Sequence, residues 1–222
     1  LDLAGISVLC EERTELKNLV VAGGPCACNP EPLADFVDLF MLGEGEDVIV
    51  ELVTLYRKAK EEKWSKTEFL KEANRLEGVY VPSLYEVSYY EDGRIREIAP
   101  VDNAKFPVKK RIVQDMSKTF YPDQFIVPFI ETVHDRAILE LMRGCIRGCR
   151  FCQAGFLYRP LREKDPDVLC LQGKDLCEST GYEEISLSSL STSDYSKLEP
   201  MLDELIDYTV DNHINLSLPS LR

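Results

Sequence analysis

A glycine-rich stretch near the middle of the chain decides how the sequence is interpreted. Residues 143–155 read RGCIRGCRFCQAG, and they hold Cys145, Cys149 and Cys152 with three and then two residues between them. Three thiolates from one short loop can each bind one iron of a 4Fe–4S cubane, which leaves the fourth iron without a local protein ligand. Glycines let the backbone wrap closely, and nearby arginines favour thiolate over thiol. The spacing therefore predicts a 4Fe–4S cluster with one open iron.

The alternatives are a zinc site and three buried free thiols. Structural zinc takes four ligands, usually as two pairs, and His134 or His213 would have to complete a site here because no second cysteine pair has the right spacing. A ferredoxin-like module needs a fourth nearby cysteine, and the closest, Cys170 and Cys177, fall on a predicted helix. A non-catalytic iron–sulfur or zinc-binding module is thus the alternative to an enzyme.

The pattern around this stretch alternates strands and helices. Asp165-Pro166 gives an N-cap with proline at the first helical position, and Gly181 lies just beyond the predicted end of that helix. Ser196 and Glu199 have the spacing of a capping box before a second helix. The order β-loop-α-β-α-β predicts a parallel sheet or barrel. The predicted strands are 137–142, 184–190 and 214–218.

The first part of the chain also has an α/β pattern. The apolar run 19–22 ends at Gly23-Gly24, as a buried parallel strand would, and 37–42 is a second such run. Asp47 is the expected cap of the helix that follows. Residues 79–130 lack a helical period, and Asp92-Gly93 predicts a hairpin turn between strands at 85–90 and 94–98.

Charge and cysteine usage limit the function classes. The net charge of −13 disfavours broad binding of a phosphate backbone, although the segment 143–164 holds six basic residues and one acid. Three of the eight cysteines cluster and the rest scatter, which predicts a reduced, cytoplasmic protein with one metal site. No apolar run reaches the roughly 18 residues that span a bilayer, so no membrane partner is expected.

The cysteine stretch, between a strand and a helix, resembles that of the radical S-adenosylmethionine (SAM) superfamily, whose pattern is Cys-x3-Cys-x-aromatic-Cys. The resemblance implies that the three cysteines bind the cluster, that SAM chelates the open iron, and that electron transfer from a donor such as flavodoxin or ferredoxin cleaves SAM to methionine and a 5′-deoxyadenosyl radical. It puts Phe151 near the adenine. Ser189 and Ser191 stand where the family often has Gly-Gly-Glu against the SAM amino group, so they are the candidate SAM contacts. Ser217, Ser220 and Arg222 end the third strand.

Residues 20–25 (VVAGGP), 29–32 (NPEP) and 43–46 (GEGE) resemble the end of a cobalamin-binding domain. The chain thereby resembles an uncharacterised family of radical SAM proteins linked to such a domain, and Gly23 and Gly24 would line the cobalamin nucleotide tail. Cys26 and Cys28 are interpreted as an incidental loop pair. The motif for the lower cobalt ligand and the later barrel strands are absent from the sequence, so we expect an internal fragment that cleaves SAM poorly. An RNA substrate is conceivable because some relatives act on RNA.

The predicted fold is α/β in three parts. Residues 1–78 form the C-terminal half of a doubly wound, cobalamin-binding-like domain, and 79–130 form a linker with a β-hairpin. Residues 131–222 form the first three βα units of a parallel βα barrel, that is, a partial TIM-type barrel.

Overall fold

The computed structural model describes residues 1–122, 124–130 and 132–221. The chain forms two compact units, an N-terminal unit (Leu1–Val113) and a C-terminal unit (Gln114–Arg222). Both mix helices and strands, and the α/β class is confirmed.

The N-terminal unit contains a three-stranded sheet. Strand β1 (Val21–Ala22) pairs in parallel with β2 (Leu39–Met41), which pairs antiparallel with β3 (Val79–Tyr80). Two strands were predicted at 19–22 and 37–42, and both exist in shorter form. The pairing of β3 makes this sheet mixed rather than purely parallel.

Two helices follow β2. Helix α1 (Gly45–Glu61) begins earlier than predicted, so the assignment of Asp47 as its cap is wrong: Glu44 is the N-cap residue and Asp47 lies in the first turn. The side chain of Glu44 is drawn away from the helix because its Oε2 accepts a hydrogen bond from the Val113 backbone N–H at 2.6 Å. The carboxylate of Asp47 can still favour the helix through the positive N-terminal dipole.

Helix α2 (Lys66–Ala73) was not predicted, although its start carries a clear signal. Ser65 and Glu68 form a capping box, in which Ser65 Oγ accepts from the Glu68 N–H at 3.2 Å and Glu68 Oε2 accepts from the Ser65 N–H at 2.7 Å. Phe69 and Leu70 then bury the apolar side of this short helix.

The predicted hairpin is confirmed as β4 (Tyr85–Tyr89) paired antiparallel with β5 (Ile95–Pro100). Gly93 has φ +81°, a conformation that favours glycine in the turn. Tyr85 packs in the core of the N-terminal unit, and its hydroxyl accepts from Asn74 Nδ2 at 3.1 Å. The hairpin therefore belongs to a compact unit that extends to residue 113, whereas boundaries at 78 and 130 remain predictions of the sequence.

The C-terminal unit is built on a parallel sheet whose central strand is Glu184–Ser188, with Ala137–Glu140 on one side and Asn215–Ser217 on the other. This agrees with the predicted order of strands and helices and with parallel pairing. Its elements are β6 (Ala137–Glu140), β7 (Met142–Arg143), α3 (Ala154–Leu157), β8 (Arg162–Glu163), α4 (Pro166–Thr180), β9 (Glu184–Ser188), α5 (Leu198–Asp211) and β10 (Asn215–Ser217).

Helix α4 has both predicted ends. Asp165 Oδ1 accepts from the Asp167 N–H at 3.1 Å, and Gly181 closes the helix with φ 74°. A Cβ at Gly173 would lie 3.1 Å from Leu139 Cδ1 and 3.5 Å from Ile185 Cδ1. This glycine therefore lets the helix pack closely on β6 and β9, which explains its place inside a helix.

The capping box predicted at Ser196 and Glu199 is wrong. Helix α5 begins at Leu198 after Lys197, which makes no side-chain cap bond. Ser196 instead binds Glu163 of β8, whose Oε1 accepts its N–H at 2.9 Å and whose Oε2 accepts its hydroxyl proton. A long-range carboxylate has thus taken the hydroxyl that a local cap would use.

Candidate functional site

The residues between β7 and β8 form one closed loop, called here the cysteine loop (residues 144–161). Met142 pairs with Glu163 and Arg143 with Arg162, so both ends of the loop are held in a short antiparallel ladder. Arg143 also binds Glu140 at the end of β6 through two hydrogen bonds, Nε to Oε1 at 2.9 Å and Nη2 to Oε2 at 2.7 Å. The loop therefore leaves from the carboxyl end of a parallel strand, where reactive groups of βα folds collect.

Gly144 opens the loop in a conformation that only glycine adopts easily. Its φ is +96°, and a Cβ there would lie 2.7 Å from Pro160 O and 2.8 Å from Tyr158 O. The carbonyls from the far end of the loop thus close over this residue, which holds the loop shut directly before Cys145.

The three predicted cysteine ligands lie on this loop, and none of them is in a disulfide bond. Cys145 is 7% exposed, and Cys149 and Cys152 are half-buried. The Arg147 backbone N–H donates to Cys145 Sγ at 3.4 Å, and the Cys152 N–H donates to Cys149 O at 3.1 Å. The Arg147 N–H therefore points at the sulfur of the first predicted ligand.

Within the described ranges, which include all three thiols, no group of three His, Cys, Asp or Glu side chains has the geometry to hold a single metal ion. The consequence for a zinc site differs from the consequence for an iron–sulfur cluster. Zinc draws its ligands to one centre, whereas each thiolate of a cubane binds a different iron. By donor type alone, three thiols and no fourth protein ligand are the set that a cubane with one open iron takes.

The candidates for a fourth ligand lie elsewhere. Cys170 and Cys177 are buried on α4 in the core of the C-terminal unit. Burial raises the pKa of Cys170 to about 12 and also raises the pKa of Cys177, so both stay thiols at neutral pH. His134 and His213 are exposed, and His134 Nδ1 lies 3.4 Å from Arg136 Nη2. No observation thus favours a fourth protein ligand.

An ion pair that the sequence pattern did not predict joins the cysteine loop to the end of β9. Arg147 Nε donates to Asp194 Oδ2 at 2.8 Å and Nη2 donates to Oδ1. Asp194 ends the 3-10 helix Thr192–Asp194, and its side chain is only 8% exposed. The hydrogen bond with Asp194 and then its charge raise the pKa of Arg147, to which Cys145 and Cys149 also contribute. In the sequence, this ion pair was indicated only by an acidic residue shortly after the serine-rich end of the strand.

The predicted SAM contacts are differently exposed. Phe151 is 90% exposed and presents its ring to solvent. Ser189 is half-buried with its Oγ 3.0 Å from Thr192 Oγ1, and Ser191 is fully buried with its hydroxyl donating to Asp194 Oδ2 at 2.8 Å. The hydroxyl of Ser191 therefore serves Asp194, while Phe151 stands open to a ligand. Their roles toward SAM stay predictions.

At the end of the third strand, Ser217 is half-buried and Ser220 is exposed, with its carbonyl accepting from the Thr192 N–H at 3.2 Å. Arg222, the third residue named there, lies outside the described residues. The turn after β10 thus contacts the turn after β9 through the backbone.

The predicted cobalamin contacts lie after β1. Gly24 has φ +87° and precedes the 3-10 helix Pro25–Cys28, so the turn itself requires a glycine at this position. A Cβ at Gly23 would make only ordinary contact, 3.6 Å from Met41 O. The cavities described in the N-terminal unit, the largest about 490 Å³, are not lined by either glycine. Nothing in this arrangement marks a corrin site.

The basic residues around the cysteines are largely engaged. Arg143 and Arg147 are paired with acids, and Lys164 is buried with its Nζ 3.1 Å from Gln172 Oε1 and 4.7 Å from the centre of the Tyr121 ring. Burial lowers the pKa of Lys164. Arg150 and Arg159 are exposed, so part of the positive charge of this segment faces solvent. In the part of the chain that the structure describes, no helix has the length and apolar character to cross a membrane.

Comparison with known proteins relates the chain to one superfamily. A family model described as "Radical SAM proteins, N-terminal" matches residues 1–82. An uncharacterized protein of Methanocaldococcus jannaschii, MJ0966, is 28% identical over 222 residues, which are 98% of this chain and 41% of that protein. The threonylcarbamoyladenosine tRNA methylthiotransferase MtaB of Bacillus subtilis is 26% identical over 108 residues, 49% of this chain and 22% of that enzyme.

These matches relate the protein to the radical SAM superfamily, as the cysteine pattern predicted. The chain spans about two fifths of the length of the Methanocaldococcus relative. The description of the family matching residues 1–82 names radical SAM proteins and does not mention cobalamin.

Proposed function

We propose that this protein is a radical SAM enzyme in which Cys145, Cys149 and Cys152 bind a 4Fe–4S cluster for the reductive cleavage of SAM. The observation that carries the proposal is the cysteine loop itself, which places three cysteines outside disulfide bonds on a loop closed by β7 and β8 at the carboxyl end of a parallel strand. The relation to the superfamily supports the same conclusion.

When bound, the cluster supplies the electron for cleavage and an open iron for the amino and carboxylate groups of SAM. The chain's own residues prepare the site. The Arg147 backbone N–H donates a hydrogen bond to the Cys145 sulfur, and Gly144 allows the carbonyls of Tyr158 and Pro160 to close the loop. Backbone N–H bonds to ligand sulfurs tune such a cluster, so this contact would affect its potential.

In this proposal Phe151 offers its exposed ring to the adenine of SAM. Ser189 and Ser191 remain the proposed contacts for its polar end. Ser189 is the better placed of the two because Ser191 is fully buried and already donates to Asp194. The parallel order of β6, β9 and β10 is compatible with the start of a partial TIM-type barrel, which is part of the proposal.

Cobalamin binding by residues 1–78, through Gly23 and Gly24, rests on the sequence resemblance alone. The glycines do not line a described cavity, and the turn explains Gly24 without a ligand. We therefore assign no step of the reaction to cobalamin.

The substrate is left unassigned. The name of the Bacillus relative describes an enzyme acting on tRNA. In this chain, however, the arginines nearest the first cysteine are paired with Glu140 and Asp194, which does not support an RNA surface at the loop. An electron donor such as flavodoxin or ferredoxin and a cytoplasmic location complete the proposal, and they are compatible with eight free cysteines.

The test is a cysteine series measured after anaerobic reconstitution with iron and sulfide. Replacing Cys145, Cys149 or Cys152 singly by Ala should abolish the brown chromophore or leave a cluster with less than four irons. The matched controls are Cys26→Ala and Cys28→Ala, which remove exposed thiols from the other unit and should leave iron content unchanged. Four irons per chain in Cys145→Ala, or tight zinc binding without iron in the wild type, would refute the proposal.

A further inference from the structure

Asp194 connects the cysteine loop to the sheet through one arginine. Arg147 stands between Cys145 and Cys149 in the sequence, and its backbone N–H already contacts the Cys145 sulfur at 3.4 Å. Its side chain leaves the loop and meets both carboxylate oxygens of Asp194. A bidentate arginine–carboxylate pair fixes direction as well as distance.

The partner of this arginine is itself well held. Ser191 Oγ donates to Asp194 Oδ2 at 2.8 Å, and the Asp194 N–H donates to Ser191 O at 3.0 Å. Ser191 and Thr192 are fully buried directly after β9. Arg147, in contrast, is half exposed on the loop. The carboxylate is therefore the fixed end of the pair, and the loop is the end that it restrains.

The middle of the loop needs such a restraint. A Cβ added at Gly148 would meet no atom within 4 Å, and the neighbouring side chains of Ile146 and Phe151 are 58% and 90% exposed. Burial there contributes little to order. Gly144 and the β7–β8 ladder hold the ends of the loop, but they lie at its base.

We propose that Asp194 is a positioning residue that holds the cysteine loop, through Arg147, in the arrangement that binds the cluster. This inference rests on the proposed function for its purpose, but the restraint itself acts on the cluster-free loop. The geometry of the loop can therefore be measured before any iron is added, which separates the two questions.

The experiment compares iodoacetamide alkylation of single thiols in the cluster-free, full-length protein by mass spectrometry. The variants are Asp194→Asn, Arg147→Gln and the double variant, and Arg150→Gln is the matched control because Arg150 is an exposed arginine of the same loop. Cys170 serves as an internal reporter of global unfolding, since it is fully buried in the core.

We expect each single variant to raise the alkylation rate of Cys145 about fivefold. This is the upper end of the change in an opening equilibrium that the loss of one partly exposed ion pair produces. The rate at Cys170 should stay unchanged, and the double variant should match the singles because they break the same contact. Asp194→Asn removes a negative charge and Arg147→Gln removes a positive one, so a faster Cys145 reaction in both variants has to come from the lost contact rather than from charge.

The same variants, reconstituted, should lose iron faster than the wild type. An unchanged Cys145 rate in Asp194→Asn, or a rise matched by Cys170, would overturn the inference. A wild type that restrains Cys145 as expected but binds no 4Fe–4S cluster would refute the proposed function and leave the restraint standing.

Discussion

Replacing Gly144 by alanine tests whether closure of the cysteine loop depends on the backbone at its base. Gly144 has φ +96°, and an added Cβ would lie 2.7 Å from Pro160 O and 2.8 Å from Tyr158 O. Backbone strain at such a φ costs about 1–3 kcal/mol for a side-chain-bearing residue. Backbone carbonyls cannot rotate aside as a flexible side chain would, so displacing them adds about 1–3 kcal/mol of overpacking.

The two costs together predict a loss of about 2–6 kcal/mol, a large part of the roughly 5–15 kcal/mol that stabilises a typical domain. Gly148→Ala is the matched control, since nothing lies within 4 Å of its Cβ position and its φ is not positive. We expect it to cost less than about 0.5 kcal/mol. Gly155→Ala, whose Cβ would lie 3.3 Å from Arg147 O, should fall between them.

The assay is urea unfolding followed by far-ultraviolet circular dichroism, with iron content after anaerobic reconstitution as the second readout. Gly144→Ala should lower the unfolding midpoint and the iron content, whereas Gly148→Ala should change neither. If Gly144→Ala and Gly148→Ala gave the same midpoint and the same iron content, the carbonyl closure over Gly144 would not be what holds the loop.

Three other predictions concern stability and ligands. The fully buried Asp38 pairs with Arg13 at 3.1 Å and with Lys66 at 2.6 Å, so Arg13→Met leaves Lys66 as a partner and should cost about 1–3 kcal/mol in urea unfolding. Lys71→Ala at an exposed pair should cost less than about 1 kcal/mol, and equal effects would contradict the burial argument. Burial raises the pKa of Cys170 from 9.0 to about 12, so the unfolded state ionises first and stability should fall as pH rises from 9 toward 12, by about 1 kcal/mol at pH 10. In unfolding measured at several pH values, Cys170→Val should reduce this loss of stability at alkaline pH, and Cys28→Ser should not. An unchanged loss in Cys170→Val would refute the attribution to Cys170. Equilibrium dialysis should find weak or no hydroxocobalamin binding to the chain, because a cofactor needs a mostly enclosed site, and micromolar affinity would overturn this.

Elements with strong local signals could be predicted from the sequence. Asp165 and Gly181 marked the two ends of α4 because a cap and a left-handed glycine act within one turn. The hairpin at Gly93 was found for the same reason. Ser65 and Glu68 carry an equally local signal for α2, so the start of that helix was also within reach of the sequence.

Features that depend on distant partners could not be predicted in this way. Ser196 had the sequence of a helix cap, but Glu163, 33 positions earlier, takes its hydroxyl. Arg147 and Asp194 are 47 positions apart, and only the parallel pairing of β6 with β9 brings the loops after these strands together. The cysteine spacing is a local signal of a different kind, because three cysteines within eight residues indicate a cofactor directly, and the cluster that they indicate stays a prediction.

The pairing of Arg147 also divides the roles of the arginines in the cysteine loop. The sequence suggested one role for all of them, to favour thiolates and offset the negative charge of a bound cluster. A carboxylate in bidentate contact cancels much of the charge that Arg147 would offer. The presence of Arg147 in the loop is therefore better explained by the orientation that the ion pair imposes on the loop than by its charge. Arg150, exposed between Cys149 and Cys152, carries its charge without such a contact among the described ion pairs and is the better candidate for electrostatic compensation. We therefore expect the two arginines to act on different properties of the proposed site: Arg147 on whether the sulfurs stay in place, and Arg150 on how readily a cluster there accepts an electron.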